Sequence, residues 1–208
     1  MMTMVHLRKA LAMTGLVVLS GCAAISAVSD AATPLDVFEL RAPDSIVAAS
    51  GRPAARDVIV ELPTTSGALS TDRIMIRPNA LQAQYLPDVR WSDPTPVMVQ
   101  TLMLRSIEAT GALRYVGRTP LGVSGDFAFV TEVVDFQADV LPDTETATVQ
   151  ITLLVRVVRE RDASIVASRR FSASVPSTST QTLAVIDAFS GASDMVFQDL
   201  AVWVQNTL

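Results

Sequence analysis

The chain has 208 residues, of which half are apolar, and its 16 basic and 21 acidic residues give a net charge of −5. That balance excludes a non-specific nucleic-acid binder, which needs a basic footprint. One cysteine and one histidine exclude a disulfide framework and leave too few nitrogen and sulfur ligands for a zinc site.

The chain opens with a short basic start, His6, Arg8 and Lys9. An apolar stretch over residues 10–19 follows, broken only by Thr14 and Gly15, and then small residues. This is the order of a secretory signal, and the stretch is too short to span a hydrocarbon core. Leu19-Ser20-Gly21-Cys22 resembles the lipobox of bacterial lipoproteins at every position. The resemblance implies cleavage between Gly21 and Cys22, a diacylglycerol on the Cys22 sulfur and an acylated new amino group. The plainer alternative is ordinary secretion with a buried free cysteine. Because two or more acyl chains hold a protein stably, the lipidated form stays on its membrane. Ala23 stands where an Asp marks retention in the inner membrane, so the implied destination is the periplasmic leaflet of the outer membrane.

Loss of residues 1–21 as a signal peptide would leave 14 basic residues, all arginine, against 21 acids, with no histidine and no lysine. Ser-His-Asp, Cys-His and Ser-Lys catalysis then lack a base, and Schiff-base chemistry lacks an amine. Carboxylate chemistry survives, as paired acids or as oxygen ligands for Ca²⁺ or Mg²⁺. Asp135, Asp139 and Asp143 recur every fourth residue in an extended pattern, where they do not converge. Solvated or ion-paired surface is the expected place for these acids, with no cofactor and no metal.

Residues 22–34 read as the lipidated cysteine and a tether of small and polar residues closed by Pro34. Twelve residues reach at most about 40 Å, which keeps the folded part near its membrane without pressing it there. Residues 35–208 are long enough for one domain with its own core. Strands are expected over residues 35–41, 56–62 and 72–77. Trp91-Ser92-Asp93-Pro94 reads as a helix start, with Asp93 as N-cap and Pro94 first in the helix. Val99, Leu102, Met103, Ser106, Ile107 and Thr110 form one helical face that ends at Gly111.

Residues 127–140 alternate strongly but change phase between Val133 and Val134, which predicts a bulge. Val149, Ile151, Leu153, Val155 and Val157 form an apolar face, and Ile165, Ala167, Phe171, Ala173 and Val175 supply a matching strand after a polar turn. These three strands predict an antiparallel meander with one covered face. Val185, Phe189, Ala192, Val196, Leu200 and Trp203 recur at helical spacing, weakened at Gly191 and Ser193. The expected fold is therefore α+β: a two-layer domain with a mostly antiparallel, mixed sheet and two long helices on one face.

With these pieces in order, the chain resembles the ABC-type transport auxiliary lipoproteins, also described as PqiC-like. The resemblance is carried by Phe38-Glu39-Leu40, Asp72-Arg73-Ile74, Tyr85, Trp91-Ser92-Asp93-Pro94 and the ending Leu200-Ala201-Val202-Trp203-Val204. It implies a non-enzymatic periplasmic accessory of an ABC transporter complex with an MCE-type (mammalian cell entry) subunit, moving lipid between two membranes. A second copy of the chain is admitted as a partner, and the membrane is reached through the lipid anchor. Tyr85 and Trp91 are the candidate contacts with partner or lipid; the alternative for both is packing, Trp91 over the helix start and Tyr85 at a sheet edge. Two further classes compete: a periplasmic regulator of an envelope synthesis or secretion machine, and a carboxylate-dependent hydrolase.

Overall fold

The computed structural model describes residues 34–122, 124–142 and 144–208. The signal peptide, the Gly21–Cys22 cleavage and lipidation site, nearly all of the tether and Asp143 lie outside the described residues.

The sheet is organised around one long strand, β7 (Phe127–Asp139). Along one edge β7 pairs antiparallel with β8 (Thr148–Arg159), which pairs antiparallel with β9 (Ser164–Pro176). Along its other edge three short strands follow one another, all parallel to it. They are β2 (Ala54–Val60) beside Phe127–Phe129, β3 (Thr64–Thr65) beside Glu132 and Val133, and β4 (Arg73–Asn79) beside Ala138 and Asp139. A 3-10 turn, Gly67–Leu69, links β3 to β4. At the β4 end the sheet continues through β5 (Gln82–Trp91) to β1 (Asp36–Phe38), and at the β2 end through β6 (Leu113–Gly117).

Helices α1 (Thr95–Ala109) and α2 (Thr182–Thr207) pack on one face of this mixed sheet and on each other. The architecture is the expected two-layer α+β fold, with the long ladders antiparallel. Val149, Ile151, Leu153, Val155 and Val157 are fully buried beneath the helices, as is the expected face of α1. On α2 the expected face is buried except Trp203, which is half-buried beside Phe171, ring centroids 5.4 Å apart. The bulge in β7 is at Val134: Val133 pairs with Leu153 and Asp135 with Thr152, so Phe136 and Ala138 return to the core side.

Several expectations need correction. The strand expected over residues 35–41 is confined to Asp36–Phe38, and β5 and β6 were not foreseen. Helix α1 has Pro94, not Asp93, at its N-cap, and no side chain caps it. Its first N–H, on Thr95, donates to the Thr71 carbonyl at 3.1 Å, and Pro96 has no N–H to satisfy. Tertiary contact thus replaces the Asp cap. At the other end Gly111 does terminate the helix, at φ +60° with its N–H on the Glu108 carbonyl. Ile165 is 60 % exposed because the β8–β9 ladder slips near Val158 and turns it away from the face that Ala167 shares with Phe171. The expected C-terminal helix is present as α2, continuous through Gly191 and Ser193.

Candidate functional site

The sequence motifs at residues 38–40, 72–74 and 91–94 are far apart in the chain and meet at one junction. Parallel pairing of β1 with β5 sets Phe38 beside Trp91. The Trp91 N–H donates to the Asp72 carbonyl at 2.7 Å and the Ser92 N–H to the Phe38 carbonyl at 2.8 Å. Arg90 forms an ion pair with Asp72 at 3.2 Å. Backbone groups thus tie two strands and a helix start together, and a buried backbone group left without such a partner would be costly.

The Trp91 indole closes the junction from inside. It is 1 % exposed and meets Phe136 and Phe189 edge-on, at centroid distances of 6.2 and 5.2 Å. Phe136 and Phe189 in turn stack at 5.5 Å. Each such pair adds about 0.5–1.5 kcal/mol beyond area burial. Trp91 is therefore not placed to touch a partner or a lipid: its face is spent on β7 and α2. Of the two readings weighed for Trp91, contact or packing, its surroundings favour packing.

Tyr85 remains on the surface, 37 % exposed. Its hydroxyl donates to the Ala68 carbonyl at 3.0 Å, and the Arg73 guanidinium lies 5.7 Å over its ring. Between Tyr85 and Trp91 the β4–β5 ladder slips: Met75 pairs with Tyr85 but Arg73 with Arg90. The inserted residues include Pro87 and Asp88, and Asp88 adopts φ +60°. A non-glycine residue in that region costs about 1–2 kcal/mol. The slip divides β5 in two: one half closes the junction and the other runs out as a hairpin with β4.

That hairpin ends in Leu81, which is 98 % exposed. Its turn is fixed by side chains: Asn79 Oδ1 accepts the Leu81 N–H at 3.0 Å, and Asn79 Nδ2 donates to Gln82 at 3.1 Å. Beside the hairpin lies an open cleft of about 370 Å³, lined by Arg77, Asp139, Leu141, Thr146, Thr148 and Gln150 among others. Burial pushes the Asp139 carboxyl above the ordinary carboxylate range, Arg77 pulls it back, and Asp135 adds to the rise. A second shallow groove runs along α2, where Gln198 donates to Ser45 and Gln205 to the Val47 carbonyl. Neither cleft was foreseen from the sequence, because each forms between segments far apart in the chain: the end of β4 with the β7–β8 loop, and residues 45–47 with α2.

Among the described residues no three His, Cys, Asp or Glu side chains gather where they could hold a metal ion. No helix of the described residues is long and apolar enough to cross a membrane.

These features describe a two-layer α+β domain whose motif residues knit its frame together and whose exposed features include a hairpin and open clefts. The chain belongs to the family of ABC-type transport auxiliary lipoprotein components, whose pattern it matches over residues 38–201. Among solved structures it is similar to protein XCC0632 from Xanthomonas campestris, with 24 % identity and a TM-score of 0.72 over 82 % of this chain and 95 % of that one. It is also similar to an uncharacterized protein at 11 % identity and a TM-score of 0.61, over 83 % of this chain and 99 % of the other. Both likenesses concern the fold. No protein of curated function matches the chain at a significant level.

Proposed function

We propose that this protein is a non-enzymatic periplasmic lipoprotein accessory of an ABC-type system with an MCE-type subunit that moves lipid between membranes. In this reading acylated Cys22 anchors it to the periplasmic leaflet of the outer membrane, and it acts by binding its partner and guiding lipid. The family match over residues 38–201 carries the reading, and the lipobox Leu19-Ser20-Gly21-Cys22 supports it. The junction adds physical support. The motif residues are used for packing and main-chain bonding, as befits a rigid scaffold, and Tyr85 stays available on the surface.

Two experiments test it. Crosslinking in native membranes followed by mass spectrometry should recover subunits of an ABC transport system. Recovery of a peptidoglycan or secretion machine instead would overturn the assignment. A Cys22→Ala variant should lose acylation and leave the membrane fraction; one that stays there with unchanged processing would remove the anchor from the account.

A further inference from the structure

Parallel pairing of Arg77 with Asp139 brings the tip of the β4–β5 hairpin beside the β7–β8 loop, so Leu81 and Leu141 project from the same end. They are 98 % and 54 % exposed. Singly exposed apolar residues are ordinary and need no explanation. Here they coincide with three independent observations. Residues 78–85, Pro-Asn-Ala-Leu-Gln-Ala-Gln-Tyr, contain no charge. Tyr85 stands a few residues behind the tip with its ring partly exposed and its hydroxyl bonded, the amphipathic aromatic found at membrane–water boundaries. And because β1 runs parallel to β5, the chain comes into the domain from the side of this tip: Asp36 pairs with Val89 and Phe38 with Trp91.

A comparison position lies toward the other end of β8. Ile165 is 60 % exposed there, but Arg159, Glu160, Arg161 and Asp162 precede it in the β8–β9 turn. It lies about 35–40 Å from Leu141, the length of β8.

We infer that the Leu81 hairpin tip, with Leu141 beside it, is a membrane-contact surface that dips into the lipid–water interface of the membrane carrying the anchor. This rests on the anchored reading of Cys22. The tether, at most about 40 Å long, permits the contact without enforcing it. Glu145, exposed in the loop after Leu141, makes the surface suit a zwitterionic bilayer and not a strongly anionic one. The occupant is the bilayer surface; an extracted lipid molecule or a second protein would give different results below.

The sequence has one cysteine, which acylation blocks, so a cysteine placed elsewhere takes a thiol-reactive fluorophore specifically. The acylated full-length mature protein carrying Leu81→Cys, Leu141→Cys or Ile165→Cys is labelled with an environment-sensitive dye. Each is reconstituted into phosphatidylcholine–phosphatidylethanolamine vesicles with and without nitroxide-labelled lipid. Dyes at residues 81 and 141 should shift to the blue and be quenched at least about threefold more than the dye at 165. Adding Leu81→Asp to the Leu141→Cys protein should cut quenching at 141 by roughly half or more. Leu81 is almost wholly exposed, so this change leaves the core intact.

Protein that floats with the vesicles while all three dyes stay equally in water overturns the inference and leaves the anchor standing. Protein that fails to float, with Cys22 still reactive, overturns both. Blue-shifted dyes without quenching by vesicle lipid point to a second protein surface and also overturn it.

Discussion

Strands β7 to β9 and the wing formed by β1, β4 and β5 belong to one sheet, yet they are held by different means. In the meander every second side chain of β8 faces the helices, and five consecutive inward positions are fully buried. The wing has no comparable run. β1 is three residues long, β5 slips out of register with β4, and their ends are tied by main-chain bonds, one ion pair and one indole. Regular alternation suffices where a strand is long enough to bury a face; where strands are short, a few specific contacts must replace area.

The largest expected effect tests that statement directly. Trp91→Ala removes the side chain that joins the wing to Phe136 and Phe189, and should cost about 3–5 kcal/mol in denaturant unfolding. A loss below about 1 kcal/mol would show that backbone bonding alone holds the junction. Next comes Gln100, buried on α1, whose Nε2 donates to the Val60 carbonyl at 2.9 Å while Oε1 accepts from Arg118. Gln100→Ala strands that carbonyl and should cost about 1–3 kcal/mol by the same measurement. An unchanged midpoint would mean that β2 is secured by its ladder alone.

The same contrast decides what could be read from the sequence. Residues 149–157 and the α2 face announce themselves because burial on one side forces a period, and the extra residue at Val134 shows as a slip in that period. β5 shows none. Gln82, Ala83, Gln84 and Tyr85 are all exposed in a projecting hairpin, and Pro87 and Asp88 then break the pattern. β6 is too short, five residues, to establish alternation. Asp93 looked like a cap because its type and position suit one, but Thr71, in the bend that precedes β4, meets the first helical N–H from far along the chain. At the candidate site, Tyr85 was legible as an aromatic and stays on the surface. Trp91 was legible too, but its burial depends on Phe136 and Phe189, which no local pattern brings near it. Leu81 gave no signal at all, since a lone leucine between Ala80 and Gln82 carries none.

A smaller effect probes the meander and its helix cover. An added Cβ at Gly191 would sit 3.8 Å from the Val175 side chain, an ordinary contact, and the helix backbone already runs through this position. Gly191→Ala should therefore stabilise the protein by about 0.5–1 kcal/mol by restricting the unfolded chain. A fall in melting temperature would mean that α2 lies closer to β9 than this geometry indicates.

The smallest effect lies where wing and meander meet, at Asp139 on β7 beside Arg77 on β4. Burial favours the protonated acid there, so the folded-state pKa lies above the ordinary value of 3.8, despite the opposing pull of Arg77. Between the unfolded and folded values the native state holds more protons than the unfolded chain, and stability falls as pH rises. The contribution is fully present below 3.8 and is lost as pH climbs through the folded value. An Asp139→Asn variant lacks this titration and keeps the cleft's shape. Its stability relative to the unaltered protein should increase slightly as pH is raised from below 3.8 toward neutrality, then level off. The carboxyl is only partly covered and lines an open cleft, so the change is small and is best followed as the difference between the two midpoints over a pH series. A difference that shrinks as pH rises would show that Arg77 outweighs burial, and that β4 and β7 are joined at this point by a working ion pair.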